Sequence, residues 1–126
     1  MRVLVDTHVF IWCDQQPRRV DATLLARLQD VRNDIFVSVA SVWEIAIKRA
    51  TGKLAFAAPI VDTVGRLGFE LLPITGAHAE YAGGLPRHHN DPFDRMLIAQ
   101  ATLEGLILGT QDPLMRLYAV PLLGLA

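Results

Sequence analysis

Arg2-Val3-Leu4-Val5-Asp6-Thr7 is the stretch on which the fold turns. An almost wholly apolar β-run stops abruptly at an acid and a threonine. A strand without polar alternation suits the centre of a parallel sheet, where both faces are covered. Asp6 then falls at the C-terminal end of the strand, where open α/β sheets place their ligand crevices. The competing reading of Asp6 is a plain N-cap for a helix over Thr7 to Trp12. Further strands are expected outward from this one at Ile35-Phe36-Val37-Ser38, Phe69 to Ile74, Leu106 to Thr110 and Val120 to Leu123. Pro73 puts the strand over Phe69 to Ile74 near a sheet edge. Between the strands, Pro17 breaks the chain and Asp21 to Arg32 reads as an amphipathic helix through Leu24, Leu25 and Leu28. Another helix opens at Ser41 and runs through Lys48, with Ser41 and Glu44 resembling a capping box. Leu54 to Ala58 is a connector, and Pro59 to about Leu67 is helical with Ile60, Val61, Val64 and Leu67 inward. A short helix follows over Thr75 to Tyr81. Strands alternating with helices mean an α/β fold with a mainly parallel five-stranded sheet.

A chain of 126 residues is expected to form a single domain over 1–126 with a sizeable core. Apolar residues make up 52% and charged residues only 20%, which points to surface hidden in a partner, a homodimer being the simplest case. No apolar run has membrane-spanning length. The acid at position 6 interrupts the N-terminal apolar stretch too early for a signal peptide. Cys13 is the single cysteine, so an internal disulfide is excluded and a reducing cytoplasm is expected. A net charge of −1 argues against a bulk nucleic-acid binder. Ten of the twelve basic residues are nevertheless arginine, the side chain suited to forked contact with phosphate.

Chemistry enters with Asn90-Asp91-Pro92-Phe93-Asp94-Arg95-Met96-Leu97-Ile98-Ala99-Gln100-Ala101. Asp91 is a good N-cap, Pro92 suits the first helical position, and Asp94 lies in the first turn where the helix dipole favours a carboxylate. At helical spacing Asp94 shares a face with Leu97, Ile98 and Ala101. A carboxylate aimed along an apolar face must be paired, protonated or bound to a metal. Asp6 and Asp112 each follow a buried strand, and Glu44 is expected in the first turn of the helix after strand two. Glu44 also precedes Lys48 by four residues, which on spacing alone favours an ordinary surface ion pair. His88 and His89 lie on a flexible Gly/Pro loop and read as solvated rather than as ligands. Acids gathered on the strand-exit side, without Cys/His ligand spacing, favour Mg²⁺ or Mn²⁺ over zinc. Such a centre lowers the pKa of bound water and neutralises charge developing on a phosphodiester. Metal-assisted phosphodiester hydrolysis leads, with phosphatase chemistry open on spacing alone.

Three segments carry a resemblance: Val5-Asp6-Thr7-His8 with Trp12, Ser41-Val42-Trp43-Glu44-Ile45-Ala46-Ile47-Lys48, and His89 to Ala101. Together they closely resemble the PIN-domain ribonucleases, specifically the VapC-type toxins of toxin–antitoxin pairs. The resemblance implies a three-layer α/β/α sandwich with strand order 3-2-1-4-5. It places an acidic quartet on Asp6, Glu44, Asp94 and Asp112, supported by Thr7, Asp91 and Thr110, and so displaces the surface-pair reading of Glu44. Asp6 and Asp94 would hold the metal most directly, with Glu44 and Asp112 acting through water or from behind. The implied partners are an RNA substrate and a cognate antitoxin. Two rivals stand beside this reading. One is an aspartyl-phosphate phosphatase with Asp6 as nucleophile, although that chemistry wants an acid where His8 stands. The other is a catalytically silent scaffold of the same fold, acting as a protein or RNA interaction module.

Overall fold

The computed structural model describes residues 1–57 and 59–125. Its centre is β1 (Arg2–Val5), paired in parallel with β2 (Asp34–Ser38) on one side and β4 (Ile107–Gly109) on the other. β3 (Glu70–Leu72) and β5 (Leu122–Leu123) complete a parallel sheet of order β3-β2-β1-β4-β5. Period-two alternation divides β1 between two cores. Val3 and Val5 face a layer built from α1 (Thr7–Gln15), α2 (Ala22–Gln29), α3 (Val39–Ala50) and α4 (Ile60–Arg66), through Val9, Phe10, Leu24, Ile45 and Val64. Leu4 faces the opposite layer, where Leu97, Ile98 and Ala101 of α6 (Pro92–Glu104) pack with Leu108 and Met115. α5 (Gly76–Gly83) rests against α6. Val3, Leu4 and Val5 have no exposed surface, each worth about 1.5–3 kcal/mol of burial. That complete cover is the physical reason why the run lacks polar alternation, and the architecture is the expected α/β/α sandwich. Among the described residues, no helix is long and apolar enough to cross a membrane.

Local chemistry moves several boundaries. α2 stops at Gln29 rather than Arg32, because Asp30 Oδ1 accepts from the Arg32 amide at 3.0 Å and the Arg32 guanidinium grips the same carboxylate. This local turn outcompetes another helical step. α3 begins at Val39 because Ser38, not Ser41, is its N-cap, its Oγ accepting from the Ala40 amide. Glu44 therefore sits in the second turn of α3 rather than the first. In α4, Thr63 is buried and Val61 is 49% exposed, so the helix is turned relative to the face expected from Ile60, Val61 and Val64. Tertiary packing decides that face, since a seven-residue helix has too few apolar positions to define one. α1 continues past Trp12 to Gln15, and β3, β4 and β5 are each shorter than the apolar runs that mark them. Ala58, the end of the expected connector, lies outside the described residues. The last strand approaches Thr110 closely. Gly124 has φ +107°, and a Cβ there would lie 2.5 Å from the Thr110 carbonyl oxygen.

Candidate active site

Every acid singled out in the sequence lies on the strand-exit side of the sheet, and Asp6, Asp91 and Asp112 are held there by backbone amides or a hydroxyl. Asp6 ends β1 and caps α1, Oδ1 accepting from the Val9 amide at 2.8 Å. Its other oxygen accepts from the Thr110 hydroxyl at 2.5 Å, and the residue is only 4% exposed. Burial drives the Asp6 carboxyl above the ordinary value, against the hydrogen bonds from Thr110 and Val9. Both readings of Asp6 thus hold together: it is a cap, and it faces the crevice at the end of the central strand. Thr110 also accepts from the Asp112 amide at 3.0 Å, so one buried hydroxyl fixes two of the four acids. Asp112 in turn caps a 3-10 turn over Pro113–Leu117, Oδ1 accepting from the Leu114 amide.

Asp91 caps α6, accepting from the amides of Phe93 and Asp94 at 2.9 and 3.3 Å. One turn in, Asp94 has its carboxyl pushed up to about 8. Burial is the largest cause, followed by the charges of Asp91, Asp6, Glu44 and Asp112. Those charges come from four different segments of the chain, which places the acids in one electrostatic field. Glu44 is 4% exposed, and its Oε2 pairs with Lys48 Nζ at 2.7 Å. The local pair and the contribution to the cluster are both present. Thr7 is further from the chemistry: its hydroxyl and that of Ser41 lie 2.8 Å apart, tying the first turn of α1 to α3.

His89 departs from expectation. His88 is exposed, as a loop histidine should be, with its ring edge-on to Tyr118. His89 instead turns inward, its side chain 13% exposed, with Nε2 2.8 Å from Asp94 Oδ2 and 3.7 Å from Asp112 Oδ2. Nδ1 accepts from the Asp91 amide at 3.3 Å. The 2.8 Å contact lies off the N–H axis, leaving Nε2 buried without an aligned hydrogen-bond partner. The loop is also pinned rather than free: the Arg95 guanidinium donates to the carbonyls of Ala82, Leu85 and Pro86 at 2.9 to 3.0 Å. Sequence reasoning missed this because Arg95 reads as the polar face of α6, and its hold on the loop is a tertiary contact.

Among the described residues, His89, Asp94 and Asp112 bring ligand atoms within 4.8 Å of one another. Asp6 and Glu44 keep their close contacts to Thr110, Val9 and Lys48 instead. The site fits a divalent cation on its own chemistry. An unaligned imidazole nitrogen and two carboxylates converge, and the carboxyl of Asp94 is forced towards protonation where no cation balances its neighbours. Among the described residues, the donor set at ligand spacing is one imidazole and two carboxylates.

Comparison with known proteins agrees with this geometry. The chain is 27% identical over 122 residues to Ribonuclease VapC22 of Mycobacterium tuberculosis, covering 94% of this chain and 93% of that protein. A 67-residue segment is 42% identical to Ribonuclease VapC16 of the same organism, covering 48% of each. Among solved structures, VapBC2 from Rickettsia felis bound to a DNA fragment from its promoter superposes with a TM-score of 0.66 at 15% identity, covering 98% of both chains. VapBC-5, a toxin-antitoxin system of Mycobacterium tuberculosis, gives 0.61 at 19% identity over 97% of this chain and 95% of that one. Residues 3–120 match the family model for the PIN domain, and the chain belongs to the PIN-domain family.

Proposed function

We propose that this chain is a metal-dependent endoribonuclease, the toxin of a toxin–antitoxin pair, acting as a single domain over residues 1–126. The observation that carries the reading is the convergence of Asp6, Glu44, Asp94 and Asp112 on one field at the strand-exit edge of a PIN fold. Relatives that are named ribonucleases and fold neighbours from toxin–antitoxin complexes support it. Asp94 and Asp112, with His89 beside them, would hold a divalent ion, Mg²⁺ or Mn²⁺, and Asp6 and Glu44 would complete its surroundings. When bound, such an ion lowers the pKa of water and offsets the charge developing on the phosphodiester.

The protein's own part is orientation and exclusion. Thr110 holds Asp6 and Asp112 in register with each other, and Asp91 fixes the first turn of α6 that presents Asp94. Lys48 pairs with the buried Glu44 at 2.7 Å and fixes the direction of its side chain. The Asp94 carboxyl is pushed up to about 8 by burial and its acidic neighbours, and a cation held beside it would favour the ionised form. The phosphatase reading loses support because both oxygens of Asp6 are engaged and the residue is nearly inaccessible. A cognate antitoxin would inhibit by placing an Arg or Lys among the carboxylates. Trp43, Leu114 and Leu117, each exposed, provide apolar surface for a homodimer.

The test is cleavage of labelled RNA in Mn²⁺, in Mg²⁺ and in EDTA, by wild type and Asp94→Asn. Cleavage by wild type in either metal, lost in EDTA and in the variant, is the expected result. Wild-type rates from Asp94→Asn would overturn the proposed site, and no cleavage by wild type under any condition would favour the silent scaffold.

A further inference from the structure

Beside the carboxylates lies a cleft of about 320 Å³ lined by Asp6, His8, Trp12, Arg19, Gln111 and Asp112. Two of these residues belong to the acidic cluster; the other four are unused by the reading above. The Arg19 guanidinium carbon sits over the Trp12 ring, 4.5 Å from its centroid, and the His8 ring lies 5.9 Å from Trp12 on the same helix. Trp12 itself packs against the core beneath, so the stack has a fixed floor. Gln111 fixes its outer wall. The Gln111 amide donates to the Arg19 carbonyl at 3.1 Å and accepts from the Asp21 amide at 2.7 Å. The segment bearing Arg19 is thereby locked to the residues flanking Asp112, at a set separation from the cluster. Behind Trp12 a second cleft of about 280 Å³ continues past Arg19 to Lys48 and Lys53.

We propose that the cleft walled by His8, Trp12 and Arg19 is a nucleotide subsite, which takes the base and phosphate next to the scissile bond of a single-stranded RNA. The proposal rests on the nuclease reading and adds where the strand lies. The cleft brings the carboxylates of Asp6 and Asp112 together with the Arg19 guanidinium and the His8 ring. A phosphate cannot rest unaided against Asp6 and Asp112, whereas Arg19 offers N–H donors in a fork suited to it. Among the described residues, one of those donors makes a long 3.4 Å contact to Gln16. The aromatic and guanidinium planes provide the sequence-tolerant stacking by which single-stranded nucleic acid is held. At about 320 Å³ the cleft lies at the small end of ligand sites, which suits one nucleotide rather than a folded segment of protein. The path past Lys48 and Lys53 gives the following phosphates a cationic wall.

The experiment measures binding of a short, unstructured, fluorescein-labelled oligoribonucleotide by anisotropy, in an Asp94→Asn background that does not cut it. Trp12→Ala and Arg19→Ala should each weaken binding by roughly 5- to 100-fold, the range set by loss of one stacked base. Trp12→Phe should stay within about threefold of the parent, and Arg19→Lys should not recover the loss, because a plane is needed as well as a charge. Scanning the RNA with an abasic ribose should find one position at which Trp12→Ala no longer matters. Variants that are folded by circular dichroism yet bind within about twofold of the parent would overturn the subsite, as would a Trp12→Ala loss equal at every abasic position. If the same variants lose a protein partner but keep RNA affinity, the cleft is a protein site and the proposal is wrong. Wild type that cleaves RNA while these variants bind normally refutes the subsite alone; wild type that neither binds nor cleaves RNA refutes the nuclease reading with it.

Discussion

Replacing Asp94 by Asn keeps the shape of the side chain and removes one charge from a crowded field. In the folded protein without a cation the Asp94 carboxyl is pushed up from 3.8 to about 8, by burial first and then by the charges of Asp91, Asp6, Glu44 and Asp112. The folded site therefore keeps a proton that the unfolded chain releases. Stability attributable to this group is present in full below about pH 4, is lost as pH rises through the folded value near 8, and is constant above it. At pH 7 the ceiling on that loss is roughly 4 kcal/mol, from about 1.4 kcal/mol per pH unit. The Asp94 side chain is 17% exposed and has the His89 ring at 2.8 Å, so solvent and dipole relaxation remove much of this. The expected gain for Asp94→Asn in EDTA at pH 7 is about 1–3 kcal/mol, or roughly 3–12 °C in Tm for a chain of this size. The gap to wild type should close towards pH 4 and widen towards pH 8. Saturating Mn²⁺ should reverse the ranking, because only wild type gains full binding energy from the ion. Melts of both proteins across pH 4 to 9, in EDTA and in Mn²⁺, measure all of this. A variant that melts below wild type in EDTA at pH 7, or a gap that ignores pH, would show that the Asp94 carboxylate is needed by the fold and would refute the reasoning.

Other substitutions probe other parts of the same construction. Thr110→Val removes the donor to Asp6 and the acceptor for the Asp112 amide from a site with no solvent access; it should cost about 1–3 kcal/mol in urea unfolding and weaken Mn²⁺ binding as well. His89→Ala should lower Mn²⁺ affinity by roughly tenfold in calorimetric titration, and a rise in affinity instead would mean that the imidazole competes with the ion. Gly124→Ala places a Cβ against the Thr110 carbonyl at φ +107°, so a loss of at least about 1–3 kcal/mol is expected, and a neutral result in denaturant melts would contradict the close approach of β5 to Thr110.

What was legible in the sequence divides along the range of the interactions. The central strand could be read because full burial on both faces imposes an unbroken apolar run, and Val3, Leu4 and Val5 obey it. The caps at Asp6 and Asp91 were legible because an acid and the start of a helical turn follow one another locally, with a proline after Asp91. Ser38 and Ser41 show the limit of that signal. Two serines precede the same helix, and only the path of the chain out of β2 decides that Ser38 caps while Ser41 turns inward to Thr7. His89 was illegible for the same reason. The loop that carries it is pinned by Arg95, which gathers the carbonyl of Ala82 at the end of α5 and those of Leu85 and Pro86 in the loop, a contact with no local periodicity. Trp12, Arg19 and Gln111 were not legible as a group, since no spacing in the chain relates segments that Gln111 joins across 90 and 92 positions.

The proposed site uses the caps that the fold needs in any case. Asp6, Asp91 and Asp112 each satisfy backbone amides at a helix or turn start, so their positions are set by the ends of three elements rather than by the cluster. Parallel strands carry those ends to one edge of the sheet, and the acids meet there as a consequence of topology. Asp94 and Glu44 are the exceptions, because neither carboxylate accepts a capping bond, and the Asp94 carboxyl is pushed up to about 8. Removing a cap should therefore damage stability and metal binding together. Removing Asp94 should separate them, raising apo stability while abolishing activity. That separation follows only if the cluster is assembled by the fold's own termini and tensioned by one additional acid.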